Sequence, residues 1–208
     1  MSAPLAATVF DCEHLTDRGA PQRYWCGPED PDPLLVQIGA VRLSLEPPWA
    51  PGESFDCIVR PEGRHGAVAP PAFFEELTGL GAARITDEGL PLAEALDRFA
   101  AFAGAGPILS WGKDEITSIA PACFVAGILC PLPARRFDNA ARLLVAAGVP
   151  PDEVHGLRSH TLCAHFGLPP EPRAHDGVAD ARAVARVLGH LLAAGRLAPS
   201  DFAPHGAA

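Results

Sequence analysis

Asp11 and Glu13 close the apolar run AATVFDCE (residues 6–13), and paired carboxylates in that setting have a particular chemistry open to them. Alternation along a strand places Asp11 and Glu13 on the face of Val9 and turns Phe10 and Cys12 to the other face. The residues before them are apolar on both faces, which suits a central, covered strand rather than an edge. Two acids at the end of such a strand repel each other and lose hydration, and a bound cation relieves both penalties. A turn-capping aspartate beside an exposed glutamate is the plainer alternative, and these residues alone do not choose.

A second acid of the same kind stands in the stretch AHDGVADARAVARVLGHLL, residues 174–192. Asp180, Val184, Val187 and Leu191 fall on one helical stripe, while Arg182 and Arg186 point away. Asp180 is therefore expected on the inward face, where an unpaired carboxylate is costly; a metal shared with Asp11 would serve. His175 precedes it by five residues, near the helix start. An imidazole of ordinary pKa, near ~6.5, can take a proton from water at neutral pH. Acid at a strand end recurs at Asp114 and Glu115, after Leu109 and Ser110. Ligands of open α/β sheets gather beyond strand ends, so this site could face the first. Acids opening a helix are also favoured by its dipole with no ligand at all.

The elements that must hold these residues follow from periodicity. Residues 34–45 (LLVQIGAVRLSL) read as a strand with Val36, Ile38 and Ala40 on one face and Leu35, Gly39 and Val41 on the other. Residues 53–60 make a third strand after a turn at Pro47, Pro48, Pro51 and Gly52, which predicts an antiparallel meander. Residues 61–71 read as loop. Helices are predicted over 70–79, 90–103, 115–127, from 139 to 147, over 159–166 and over 178–194, with short strands at 107–111 and 134–139. The order gives an α/β fold with a central mixed five-stranded sheet flanked by helices. It forms one domain over residues 1–195, followed by a flexible tail at 196–208. Residues 14–33 form a long polar loop carrying Tyr24 and Trp25. Packing of both rings onto the body is the favoured reading; a platform for a stacked base is the other.

Composition narrows the class. A chain of 208 residues with 48% apolar and 20% charged residues is globular and can bury a sizeable core. No apolar run approaches the roughly 18 residues of a membrane span, and residues 1–7 lack a signal-peptide pattern, so a soluble cytoplasmic protein is expected. The six cysteines have no zinc-like spacing and read as reduced, mostly buried thiols. A net charge of −9 argues against coating long duplexes but allows an enzyme that grips a few nucleotides through metal ions.

Asp-x-Glu closing a first strand, an acid after a later strand and His-x4-Asp opening a late helix together resemble the DEDDh 3′→5′ exonucleases, which have the ribonuclease H-like fold. VQIGAV, EELTGL and SWG are similar to the subgroup of the histone-mRNA 3′ exonuclease and its bacterial relatives. The resemblance covers residues 6–192. It implies that Asp11, Glu13, Asp180 and one of Asp114 and Glu115 bind two divalent cations, Mg²⁺ or Mn²⁺, whose oxygen-rich ligand set both ions accept. It implies that His175 is the general base, and that nucleoside 5′-monophosphates leave the 3′ end of single-stranded RNA or DNA one at a time. The family's spacing after the glycine of SWG favours Glu115 as the middle acid, whereas residue type favours Asp114. Where many members have Thr-Thr-Gly after the first acids, this chain has His14, Leu15 and Thr16, which become candidate substrate contacts by position. Leu77 and Thr78 are carried over from the ELTGL segment in the same way, although Leu77 also suits a core position. Related exonucleases are often dimers, so a homodimer is open. A catalytically weak nucleic-acid-binding adaptor and a phosphodiesterase for dinucleotides are the alternative functions.

Overall fold

The computed structural model describes residues 5–173 and 175–203, with every side chain there except that of Asp114. The sheet is built around β1 (Ala6–His14). On one side, β2 (Leu35–Ser44) runs antiparallel to it and β3 (Pro51–Ile58) runs antiparallel to β2. A two-residue-per-strand hairpin, β4 (Glu62–Gly63) and β5 (Gly66–Ala67), stands where the sequence predicts loop. Then come α1 (Ala72–Thr78), α2 (Ala82–Glu88) and α3 (Leu92–Ala103). On the other side of β1, β6 (Ile108–Ser110) pairs in parallel, and after α4 (Asp114–Ala126) β7 (Phe137–Asn139) extends the sheet. The chain continues through α5 (Ala141–Ala146), α6 (Pro151–Gly156), α7 (Ser159–His165) and α8 (Gly177–Ala193). The five-stranded order is β3-β2-β1-β6-β7. The expected mixed sheet is therefore present, with β1 at its centre.

Both faces of β1 are covered, as its apolar run requires. Ala7 and Val9 join Val41, Leu43 and the inward stripe of α8, Val184, Val187, Leu188 and Leu191, in one core. Phe10 and Cys12 join Ile38, Ala40, Leu96 and Phe99 of α3, and Ile119 and Cys123 of α4, in the other. Burial of these large apolar side chains drives the assembly. The alternation expected for residues 34–45 breaks at one place. Register slips between Glu13 and His14, so His14 faces Leu35 rather than Val36. Leu35 then joins the Ile38 and Ala40 cluster, and Val36 packs with Leu15, Leu34 and Phe74. A bulge of this kind reverses side-chain parity across it.

Two short helices, α2 and α6, have no counterpart in the sequence reading. Each has one buried residue, Ile85 and Val154, too few to draw a helical stripe. Residues 196–203 also differ from the expected flexible tail. Phe202 is fully buried in the α8 core, Arg142 donates to the Asp201 carbonyl, and Arg196 donates to that of Ala147. Residues 204–208 lie outside the described residues. Among the described residues no helix is long and apolar enough to cross a membrane. All six cysteines are free thiols; four are buried, Cys130 is half-buried and Cys26 is exposed.

Candidate metal centre

Four carboxylates converge at the end of β1, two from the strand itself and two from the first turns of helices. Asp11 and Glu13 share the face that β1 turns toward α8, two residues apart by strand alternation. Asp180 comes from the first turn of α8, whose start is fixed by the Asp176 side chain accepting from the Val178 and Ala179 amides. Single carboxylate oxygens of Asp11, Glu13 and Asp180 all lie within 4.8 Å of one another. Glu115, in the first turn of α4, is 6% exposed and shares a side-chain hydrogen bond with Asp11. Of the two candidates for the middle acid, Glu115 is seen to meet the others. The side chain of Asp114 lies outside the described residues.

How α8 reaches β1 is visible in two residues of VQIGAV. Gly39 stands opposite Asp11, and a Cβ there would lie 2.1 Å from the Gly177 carbonyl carbon, so only glycine admits the helix start. Gln37 is 1% exposed; its Oε1 accepts from the Gly177 amide at 3.0 Å while its Nε2 donates to Asp56 at 2.8 Å. Strand alternation assigns Gly39 to a face and the family resemblance includes both residues, but neither reading gives them this role. Their spacing of two on one strand face was the available signal.

The electrostatics are those of a cluster short of positive charge. Burial first, then the charges of Glu115, Glu13 and Asp180, hold the Asp11 carboxyl well above its ordinary range. Burial, together with Asp180, Asp176 and Glu115, pushes Glu13 up to about 8 against the opposing pull of Arg173. Asp180 is also raised by burial, with the Ser159 hydroxyl and the His175 amide opposing it. Acids so placed hold protons or a cation. An all-oxygen donor set suits hard ions of the Mg²⁺ and Mn²⁺ kind, so the residues fit the divalent metals that the resemblance implies.

His175 sits at the rim. Its amide donates to Asp180 Oδ2 at 3.0 Å, its φ of +56° lies in the left-handed region, and its ring centroid is 6.0 Å from that of His160. Arg173 donates to the Thr78 carbonyl at 2.5 Å, which ties the His175 loop to the end of α1. Sequence reasoning did not find Ser159, His160 or Arg173, which belong to no motif and meet the acids only through the fold.

The candidate substrate contacts divide. His14 is half-buried, with Nδ1 3.0 Å from the Ser118 hydroxyl and its ring 5.1 Å from that of Trp25. Leu15 is fully buried beside Leu34 and Phe74, so its side chain serves packing. Thr16 is 8% exposed, with a hydroxyl that has no hydrogen-bond partner among the described residues. Leu77 is half-buried. The Thr78 hydroxyl donates to the Phe74 carbonyl and accepts from the Leu80 amide; it finishes α1 and is 2% exposed. Trp111 packs partly buried against the α8 core.

No protein-family model and no curated protein matches the sequence. Solved structures do. The nuclease domain of 3′hExo, a DEDDh family member bound to rAMP, superposes with a TM-score of 0.75 at 17% identity, over 92% of this chain and 93% of that one. Cell-death related nuclease 4 (CRN-4) gives 0.68 at 17%, over 92% of this chain and 64% of that one. Exonuclease I of E. coli with a dT13 oligonucleotide gives 0.62 at 15%; this chain, 90% covered, spans 41% of it. The sheet order, the helices that flank it and these superpositions together establish that the chain has the ribonuclease H-like fold of the 3′ exonucleases.

Proposed function

We propose that this chain is a DEDDh-type 3′→5′ exonuclease that hydrolyses single-stranded RNA or DNA to nucleoside 5′-monophosphates. The observation that carries the reading is the buried convergence of Asp11, Glu13 and Asp180, with Glu115 hydrogen-bonded to Asp11. Such a cluster is stable in its ionised form only around cations. Glu115 takes the place of the middle acid in this reading, and its extra methylene relative to Asp sets its reach. The neighbours' ligands, rAMP and dT13, agree with either sugar as substrate.

Asp11, Glu13, Glu115 and Asp180 would hold two divalent ions, which supply Lewis acidity toward the scissile phosphate and the attacking and leaving oxygens. His175 takes the proton from the attacking water. The hydrogen bond that the His175 amide donates to the Asp180 carboxylate holds its backbone in the left-handed kink. Asp176 and Gln37 fix the α8 start that carries Asp180, and Ser159 orients the Asp180 carboxylate.

The test uses 5′-labelled single-stranded RNA and DNA of one sequence with Mg²⁺, Mn²⁺ or EDTA, and the variants Asp180→Ala and His175→Asn. Asparagine tolerates the left-handed backbone, so the second variant removes the base without disturbing the loop. The expected result is a ladder shortening from the 3′ end, abolished by EDTA and in Asp180→Ala. In His175→Asn it slows by about 10²–10⁴-fold, with stabilisation by Mg²⁺ retained. Strands left intact by the wild type with every metal would overturn the reading; binding without cleavage would favour an adaptor.

A further inference from the structure

Trp25 and Tyr24 are neighbours with opposite fates. Trp25 packs its ring 5.1 Å from that of His14, the residue after Glu13, and its Nε1 donates to the Leu15 carbonyl at 3.1 Å. Tyr24 is 82% exposed. Both have positive φ, 55° and 53°, and consecutive left-handed residues other than glycine are uncommon. The chain holds this kink firmly. The amides of Tyr24, Trp25 and Cys26 donate to the carbonyls of Pro21, Ala20 and Arg23, and Ala20 is fully buried. Arg23 pairs with Asp30, which also accepts from the Gly27 amide, and Arg18 pairs with Glu76 of α1 while lying over the Phe73 ring. An aromatic ring is thereby kept in solvent on a braced loop, one residue from a side chain that abuts the acid-bearing strand.

Resting on the functional reading above, we infer that Tyr24 is a stacking platform for a base upstream of the two nucleotides that flank the scissile phosphate. The contact between Trp25 and His14 stands between Tyr24 and Glu13 along the chain of neighbours, and on that ground the phenol ring is assigned to a base outside the terminal pair. The cations beside it are engaged by acids, so this surface offers a ring face rather than charge. Every base can use a ring face, which makes the subsite tolerant of sequence and of sugar.

The experiment measures kcat and KM on a dinucleotide and on a single-stranded dodecanucleotide with Mg²⁺, for the wild type and for Tyr24→Ala, Tyr24→Phe and Tyr24→Trp. Tyr24→Ala is expected to raise KM on the dodecanucleotide by about 5- to 150-fold with kcat little changed, and to leave the dinucleotide unaffected. The Phe and Trp variants keep the wild-type KM. An abasic unit at one upstream position raises KM for the wild type and adds nothing in Tyr24→Ala. A wild-type KM for Tyr24→Ala on the dodecanucleotide, or an equal loss on both substrates, overturns the inference and leaves the exonuclease reading standing. A wild type that neither binds nor cuts either substrate overturns both.

Discussion

Glu13 folds into a place that its charge resists. Burial and three neighbouring acids push its carboxyl up to about 8, well above its value in an unfolded chain, near ~4.5. The sign follows directly. Between those two values the folded chain holds a proton that the unfolded chain has released, so without metal the fold loses stability as pH rises through the window. Asp11 and Asp180 are raised as well and act in the same direction. Unfolding followed in EDTA should show a melting temperature that falls from pH ~5 to ~8, as the unfolding free energy drops by an amount on the order of a few kcal/mol. Glu13→Gln should flatten that slope and melt higher than the wild type at pH ~8. Added Mg²⁺ should reverse the trend for the wild type, because the ionised cluster is the form that binds it, and should do little for Glu13→Gln. A metal-free melting temperature independent of pH would mean that these acids are hydrated and unpaired with one another.

Single elements show what carries Asp180 to β1. The helix approaches through Gly39 and is held by Gln37, two residues that do no chemistry. Gly39→Ala would drive a methyl into the Gly177 backbone, so α8 must shift. Gln37→Leu would leave the Gly177 amide without its acceptor, a penalty of about 1–3 kcal/mol. Both variants are expected to melt lower and to lose most of the Mg²⁺-induced rise in melting temperature. A Gly39→Ala chain that responds fully to Mg²⁺ would show that α8 need not sit this close. The same elements explain what was legible beforehand. Strand alternation placed Asp11 and Glu13 on one face, and the stripe of Val184, Val187 and Leu191 turned Asp180 inward, because long amphipathic elements write their burial into residue spacing. Asp114 and Glu115 stayed ambiguous because adjacent acids at a helix start satisfy the same rule. The short helices α2 and α6 escaped because one buried residue has no period. The bulge beside His14 escaped because register depends on the partner strand. Arg173 and Ser159 meet Glu13 and Asp180 only across the fold.

At the scale of the whole molecule, a net charge of −9 must be reconciled with the polyanionic substrate proposed above. Many arginines are already committed: Arg84 to Asp56 and Glu88, Arg98 to Glu94, Arg142 to Asp138, Arg186 to Glu171. Others, Arg136 and Arg196, donate to backbone carbonyls. Pairing of these arginines with acids weakens any basic track along the surface, so the proposed function assigns most of the attraction to a strand to metal ions at the acid cluster and to stacking. This predicts an affinity that depends weakly on monovalent salt. For single strands the slope of log K against log salt is about −0.7 per phosphate neutralised, so one to three contacts give about −0.7 to −2. The measurement uses His175→Asn, which keeps the four acids and cuts slowly enough to titrate, with a labelled oligonucleotide at fixed Mg²⁺ over rising KCl. A slope several times steeper would reveal a basic track along the strand that the paired arginines do not provide. A shallow slope together with loss of binding in EDTA would place the grip at the acid cluster at the end of β1, as the proposed function requires.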